Sequence, residues 1–356
     1  MNMLFLFISS WLLGLEPLHE AGFRGEGITI AVIDGGFSEV DQDSAAYPPE
    51  QIIGWKDFLN RDSTFFTDVN ESHGSMVLST MLTEKTEDGQ ALGTAPGANY
   101  LLIRTEDIYA EYPGEMDLLA RGIRYADSIG ADIITISLGY RQFDDSADDL
   151  QYEDINGQSA VSLAATEAAR NGRIVVVAAG NDGNNPWHYI AVPSDADSIL
   201  CVGAVSEDSI VAPFSSFGPT ADGRELPQVS AWGFKSLVYS PTADSCIYKN
   251  GTSFAAPRIA GMAACLRQAM PHLSAMDLRR KIIESASNYP NWDPQMGYGI
   301  PNAAAIWQAY SALPSVDDNS AEPLYFNLQG VQLDSAPEHG FYIEKRGNTI
   351  RKLVRP

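Results

Sequence analysis

The segment Asn250-Gly251-Thr252-Ser253-Phe254-Ala255-Ala256-Pro257, with the run that follows it, predicts a buried helix at the centre of the protein. From Ser253 to Gln268 nearly every side chain is apolar, and a helix that is apolar all round lies inside a large domain. Gly251 permits a tight turn into this helix, and we expect Pro257 in its first turn, where a missing N–H removes no helical hydrogen bond. Ser253 then lies at the helix N-terminus, where an isolated serine is best interpreted as a cap.

Three short apolar runs predict the strands of a parallel sheet. Each is β-branched and nearly continuous, as expected of strands buried on both faces, and helical patterns at residues 115–128 and 160–171 separate them. This alternation predicts an α/β fold, a three-layer parallel sheet with helices on both faces. The runs are residues 28–33, which end in Asp34, residues 133–136, which end in Ser137-Leu138-Gly139, and residues 174–179, which end in Gly180-Asn181.

The carboxyl ends of these strands should form a functional site. Sites in open α/β sheets lie at that edge, so we expect Asp34, Ser137 and Asn181 to converge there. His73 opens a further helical run, and a lone histidine at a helix start is more often structural than catalytic. Together with a strand-end aspartate and the helix-start Ser253, it suggests a nucleophile with its base.

Three segments resemble the signature of the subtilisin-like (subtilase) serine protease family, in that family's order of Asp, His and Ser. The resemblance extends from about Gly25 to Ala305, and its serine segment is the most specific part. The segments are Val32-Ile33-Asp34-Gly35-Gly36, His73-Gly74-Ser75-Met76-Val77 and Gly251-Thr252-Ser253-Phe254-Ala255-Ala256-Pro257.

The resemblance implies a serine endopeptidase that hydrolyses proteins or peptides. Ser253 would attack the scissile carbonyl, His73 would serve as general base, and Asp34 would orient the imidazole. The Asn181 side chain and the Ser253 backbone N–H would bind the oxyanion. The alternative is a catalytically silent peptide-binding or envelope protein on the same fold, since a fold alone does not establish activity.

The resemblance also implies how substrate would bind. An extended substrate would pair with the strand end Ser137-Leu138-Gly139, and the pocket walls would be that segment and Ala178-Ala179-Gly180. Ala191 is expected at the pocket floor. These residues are small or uncharged, so we expect a broad preference for apolar residues immediately before the cleaved bond.

No cofactor is required for this chemistry. The family's calcium loop is not recognisable in residues 83–92, so a structural calcium site is unsupported although still open, and no metal ligand is assigned. None of the three cysteines has metal-ligand spacing, and Cys201 and Cys265 lie in apolar runs that predict inert core thiols. Two positions differ from the family's usual histidines, namely Met76 and Arg258, and we expect local repacking there.

The composition excludes one class of partner. The 356 residues include 23 Lys and Arg against 46 Asp and Glu, which gives a net charge of −23. Such a chain repels phosphate backbones, so we expect no nucleic-acid partner. We expect a well-solvated monomer. The acidic loop at residues 143–149 is best interpreted as a solvated insertion, with a cation site or a bias towards basic substrate residues as the weaker alternative.

The two ends of the chain differ from the predicted protease domain at residues 25–312. Residues 1–24 are an apolar segment, either a signal-peptide remnant or a packed helix. Residues 313–323 are a predicted linker, and residues 324–356 a short β-rich segment, either sorting-like or a docked hairpin. Both ends favour a secreted or cell-envelope protein, with export or sorting machinery as partner, and leave a cytoplasmic location open.

Overall fold

The computed structural model describes residues 12–41, 46–84, 92–312, 322–327, 330–337, 339–346 and 349–355. The chain divides into two compact units, residues 1–307 and 308–356. Several predicted features fall wholly or partly outside the described residues: residues 1–11 of the apolar N-terminus, residues 85–91 of the calcium-loop region, residues 313–321 of the linker and the turn at residues 347–348.

Helices and strands alternate through the first unit, and the second unit contains strands. In chain order the elements are α1 (Glu16–Glu20), β1 (Thr29–Asp34), β2 (Ile52–Asp57), α2 (His73–Leu82), β3 (Asn99–Arg104), α3 (Gly114–Ser128), β4 (Ile133–Ile136), α4 (Ala160–Arg170), β5 (Ile174–Ala178), β6 (Leu200–Val205), β7 (Val229–Trp232), β8 (Ser236–Ser240), β9 (Ser245–Lys249), α5 (Thr252–Ala269), α6 (Ala275–Glu284), α7 (Ala303–Ser311), β10 (Leu324–Phe326), β11 (Gln332–Leu333), β12 (Gly340–Arg346) and β13 (Thr349–Arg355).

A seven-stranded parallel sheet forms the centre of the first unit, in the order β2-β3-β1-β4-β5-β6-β7. Alternate side chains of each strand point to opposite faces. One set, which includes Ile33 and Ile134, joins the core formed with α3 and α4, and α5 packs across β4 to β7. The predicted α/β fold, a parallel sheet flanked by helices, is therefore confirmed.

Helix α5 is buried along most of its length, from Thr252 to Leu266. The prediction for Pro257 was wrong: the helix begins at Thr252, so this proline lies in the second turn and removes a helical hydrogen bond that would otherwise form. The carbonyl that loses its partner belongs to Ser253, four residues earlier. A side chain from the end of β4 replaces that partner.

The described part of the N-terminal segment packs against the body of the first unit. Leu13, Leu15 and Leu18 are buried, and the Ala303 N–H donates a hydrogen bond of 2.8 Å to the Leu13 carbonyl. These contacts support the packed-helix interpretation for residues 12–24. No helix in the described ranges has the length and apolarity to cross a bilayer.

The second unit contains a four-stranded antiparallel sheet in the order β11-β10-β12-β13. Strands β10, β12 and β13 coincide with the three predicted apolar runs, and their alternation gives one face that includes the buried Tyr342. The short strand β11 was not predicted, because a two-residue strand offers no alternating pattern to detect. The predicted C-terminal β segment is confirmed as a small antiparallel sheet.

Candidate active site

Asp34 and His73 form a direct pair at the carboxyl edge of the sheet. Asp34 ends β1, His73 begins α2, and the distance from Asp34 Oδ1 to His73 Nδ1 is 2.7 Å. The same carboxylate oxygen accepts a hydrogen bond of 2.8 Å from the Gly35 N–H. Gly74 makes this approach feasible, because a Cβ there would lie 2.4 Å from the Gly36 carbonyl oxygen and 2.9 Å from Asp34 Cβ.

The protonation behaviour of His73 follows from this pair. Burial alone would lower the pKa of the imidazole, but the charge of Asp34 and the hydrogen bond to it outweigh burial, so the pKa lies above its ordinary value of 6.5. The carboxylate of Glu106 adds to the increase, whereas Lys249 opposes it. The raised pKa favours the protonated imidazole, so His73 holds a proton more firmly once it has accepted one.

A buried ion network holds the loop that precedes His73. Arg104, at the end of β3, pairs with Asp57 at 2.6 Å and with Glu71, two residues before His73. Arg104, Asp57 and Glu71 are all at most 2% exposed, and the Arg104 guanidinium also lies over the Phe65 ring. Loss of one partner from such a network leaves a buried charge uncompensated. The network therefore fixes the position from which α2 begins.

Ser253 is tied to the end of β4 by two hydrogen bonds. The Ser137 hydroxyl donates a bond of 2.9 Å to the Ser253 carbonyl, which the proline at position 257 has left without its helical donor. The Ser253 hydroxyl in turn donates to the Ser137 carbonyl at 3.3 Å. In this structure the Ser253 hydroxyl is thus directed at Ser137 rather than at His73. Catalytic hydrogen bonds are often long or unformed before substrate binds.

Thr252 fixes the orientation of the Asn181 side chain. Asn181 Oδ1 accepts hydrogen bonds from the Thr252 backbone N–H at 2.9 Å and from the Thr252 hydroxyl at 3.1 Å. A backbone N–H can only donate, so the amide oxygen must face Thr252 and the NH₂ group must point away from it. Asn181 follows β5 and is exposed, so its two amide donors are available to a ligand beside Ser253. Sequence reasoning did not predict the role of Thr252.

A cavity of about 610 Å³ opens beside Ser253. Most of the predicted substrate-binding residues line it, but Ala179 does not: its side chain is fully buried in the core behind the cavity wall. The predicted residues that line the cavity are Ser137, Leu138, Gly139, Ala178, Gly180, Asn181, Ala191 and Ser253.

The cavity also has charged lining residues that the sequence analysis did not assign to it. Arg141 and Asp182 pair across 3.4 Å, and the Arg141 guanidinium lies over the Trp187 ring at 5.2 Å. Glu111 and Asp144 line another part of the cavity, where the Glu111 N–H donates to Asp144 Oδ2 at 3.2 Å. These residues come from loops after β3, β4 and β5, and loop conformation cannot be predicted from strand periodicity.

Within the described ranges, no group of three or more His, Cys, Asp or Glu side chains is arranged to hold a metal ion. Residues 85–91, in the region where the family's calcium loop was expected, lie outside those ranges. Cys201 and Cys265 are buried free thiols, and burial raises the pKa of both far above its ordinary value, so they are unreactive as predicted from their apolar surroundings.

Comparison with known proteins identifies the family of this chain. The model of the subtilase family matches residues 25–299. Subtilisin DY from Bacillus licheniformis is 29% identical over 299 residues, which cover 83% of this chain and 97% of that protein. Subtilisin E from Bacillus subtilis (strain 168) is 28% identical over 292 residues, which cover 82% of this chain and 68% of that protein.

Solved structures share the fold. A protease from Pseudoalteromonas arctica PAMC 21717 superposes with a TM-score of 0.65 at 23% identity, over 85% of this chain and 97% of that chain. The prenylagaramide maturation protease PagA gives a TM-score of 0.64 at 22% identity, over 83% of this chain and 97% of that chain. Because the family match spans most of the chain, the protein belongs to the subtilase family and is a serine-type endopeptidase, whose chemistry needs no cofactor.

Proposed function

We propose that Asp34, His73 and Ser253 form the catalytic triad of this endopeptidase. The observation that carries the proposal is the 2.7 Å contact between Asp34 Oδ1 and His73 Nδ1, with Ser253 at the buried start of α5. His73 Nδ1 must be protonated to donate to the carboxylate, which leaves Nε2 as the basic nitrogen. If the Ser253 hydroxyl rotates from Ser137 towards Nε2, His73 can accept its proton. Nε2 would later donate that proton to the leaving amine.

The oxyanion would be bound by the Asn181 amide and the Ser253 backbone N–H. Thr252 holds the Asn181 oxygen, which frees the NH₂ group for a substrate carbonyl. Ser253 is the second residue of α5, so its N–H has no intrahelical acceptor. Both donors are fixed before the reaction, which is the arrangement that lowers the barrier most effectively.

The side chain before the cleaved bond would enter the cavity between Ser137–Gly139 and Ala178–Gly180, with Ala191 at its floor. Ala191 is 4% exposed, and a Cβ on Gly139 would lie 3.1 Å from Ala191 Cβ, so the two walls converge there. The residues expected at the walls and the floor are uncharged, so they offer Lys or Arg no partner. We therefore expect a broad preference for Leu, Met, Phe or Tyr at this position.

Labelling with a fluorophosphonate probe tests the assignment. We expect one covalent adduct on Ser253, lost in Ser253→Ala. The matched control is Ser128→Ala, which changes an exposed serine at the end of α3 and should label like the wild type. Folded protein that cleaves no peptide and gives no adduct would instead favour the silent peptide-binding alternative.

We also propose that the protein is exported. The apolar N-terminus and the sorting-like C-terminal segment support this proposal, with protein or peptide substrates outside the cytoplasm. The domain boundaries at residues 24, 312 and 323 are also proposals. So is any structural calcium site. Fractionation of the source cells tests the location, since full-length chain in the cytosol would contradict export.

A further inference from the structure

Arg141 brings a charged group to the cavity that is expected to hold the side chain before the cleaved bond. It lies two residues after Gly139, the end of one expected wall, and it lines the cavity. Asp182, the residue after Asn181, lines the cavity from the loop after β5. The Arg141 guanidinium pairs with the Asp182 carboxylate at 3.4 Å, so one ion pair joins the two loops that continue from the walls.

The backbone around Arg141 is held in place by hydrogen bonds. The Tyr140 N–H donates to the Val192 carbonyl at 2.8 Å, and the Val192 N–H donates to the Tyr140 carbonyl at 3.2 Å. The Leu150 N–H donates to the carbonyl of Arg141 itself at 2.8 Å. Because Val192 follows Ala191, the expected floor residue, the Arg141 side chain starts from a fixed point beside the pocket floor.

Trp187 covers one face of the Arg141 guanidinium. The guanidinium carbon lies 5.2 Å from the centre of the Trp187 ring, which is a cation–π contact. The ring packs against the core, and the Trp187 N–H donates to Asn185 Oδ1 at 2.9 Å, so the ring is a fixed support. With one face on Trp187 and one edge towards Asp182, the guanidinium presents its second face to the cavity.

The charges around the cavity do not favour a charged substrate side chain at this guanidinium. A substrate carboxylate that approached Arg141 would also meet Glu111 and Asp144, which line another part of the cavity. A substrate Lys or Arg in the same position would be repelled by the like charge of Arg141. A neutral ring avoids both repulsions and can still contact the guanidinium face.

The size of the cavity does not by itself select a ring. Its volume is about 610 Å³, whereas about 150 Å³ is enough to hold benzene. The cavity therefore admits an aliphatic chain as well as a ring, and both gain from burial of apolar area. Selection between them needs a contact that depends on the π electrons of the ring, and the face of a guanidinium supplies such a contact.

We infer that Arg141 is a specificity-determining residue that selects an aromatic side chain immediately before the cleaved bond. The substrate ring stacks on the guanidinium face opposite Trp187, so the guanidinium lies between two rings. Within the broad apolar preference proposed above, Phe and Tyr are therefore favoured over Leu and Met. The inference rests on the proposed function, because it assumes that this side chain enters the cavity.

The test compares three peptides that differ only in the residue before the cleaved bond. They are acetyl-Ala-Ala-Ala-Xaa-p-nitroanilides in which Xaa is phenylalanine, pentafluorophenylalanine or cyclohexylalanine. Fluorination reverses the charge distribution of the ring, and saturation removes its π electrons, while the size of the side chain stays similar. Both analogues are more apolar than phenylalanine, so burial alone would favour them. We expect the wild type to prefer phenylalanine over each analogue by about two- to fivefold in kcat/KM, the scale of one partly exposed cation–π contact.

Variants assign this preference to the guanidinium. Arg141→Met should abolish it, because methionine keeps an unbranched apolar chain but carries no charge. The matched control is Arg121→Met, since Arg121 is an exposed residue of α3 that lies over the Phe58 ring at 5.1 Å and is not one of the residues that line the cavity. This control should keep the wild-type ratios. A ratio measured on one preparation does not depend on the fraction of active enzyme, so partial misfolding cannot imitate the result.

The outcomes separate the inference from the proposed function. Equal or higher kcat/KM for pentafluorophenylalanine in the wild type would refute the aromatic contact without any variant, and would leave the proposed function intact. A preference for phenylalanine that survives Arg141→Met would show that another group selects the ring, which also overturns the inference. If no peptide is cleaved and no fluorophosphonate adduct forms, the proposed function fails and the inference fails with it.

Discussion

The two sides of the active-site edge are built differently. The candidate triad and Asn181 stand at the ends of buried strands and at helix starts, where each polar group has a fixed partner: Asp34 holds His73, Thr252 holds Asn181, and Ser137 holds Ser253. On the second side, four acidic residues stand largely on loops, and none of them has a Lys or Arg within ion-pair distance among the described residues; they are Glu106, Glu111, Glu115 and Asp144. The first side is therefore organised before substrate arrives, whereas on the second side burial and mutual repulsion raise the pKa of Glu106 and Glu111.

The largest effect is expected from removal of the proposed nucleophile on the first side. Ser253→Ala should lower kcat/KM by at least about 10⁴-fold, because no other group can form the acyl intermediate. Adding His73→Ala should cost little more, since the base has no function without its nucleophile. Subtilisin is the established example of this non-additivity. Progress curves for a peptide substrate measure the effect, and losses that simply multiplied would show that His73 is not the base for Ser253.

A smaller effect isolates the oxyanion donor. Asn181→Ala should lower kcat by about 10²–10³-fold with little change in KM, the range known for loss of the equivalent donor in subtilisin, because the amide acts mainly on the transition state. The control is Asn171→Ala, at the exposed end of α4, which should leave kcat unchanged. A rise in KM with unaltered kcat would indicate ground-state binding instead.

The smallest effect concerns the second side and its stability. Glu106 keeps its proton to about pH 8 when folded but ionises near 4.5 when unfolded, so its presence lowers stability progressively as pH rises through that interval. Glu106→Gln should therefore raise the free energy of unfolding by about 1 kcal/mol or more above pH 8, and change it little below pH 4.5. Urea titrations at both pH values measure this, with Asp148→Asn as the control. Equal effects at both pH values would mean that packing, not charge, is responsible.

The sequence predicted that Asp34, Ser137 and Asn181 lie at strand ends, whereas on the second side it indicated only the acidic loop at residues 143–149 and assigned no role to Glu106 or Glu111. Runs such as residues 133–136 and 174–179 are continuous apolar segments, which predicts strands buried on both faces. The polar residues that follow each run are then expected at the carboxyl edge of the sheet. The Glu111–Asp144 contact joins two loops 33 residues apart, and neither loop has a repeating pattern. Pro257 was misplaced because a proline in the second turn is tolerated only through a tertiary hydrogen bond that no local rule includes.

Pro257 has a consequence for how this enzyme could be altered. By lacking an N–H, it leaves the carbonyl of Ser253 to the Ser137 hydroxyl, so the strand end expected to receive the substrate and the residue expected to attack it share a direct mechanical link. Because one hydrogen bond joins the two segments directly, a shift of that strand end would also displace Ser253. Exchange of the segment after β4 for another sequence therefore requires a hydroxyl at position 137, or a second change that restores the amide at position 257. Pro257 thus limits which sequences can replace the segment after β4.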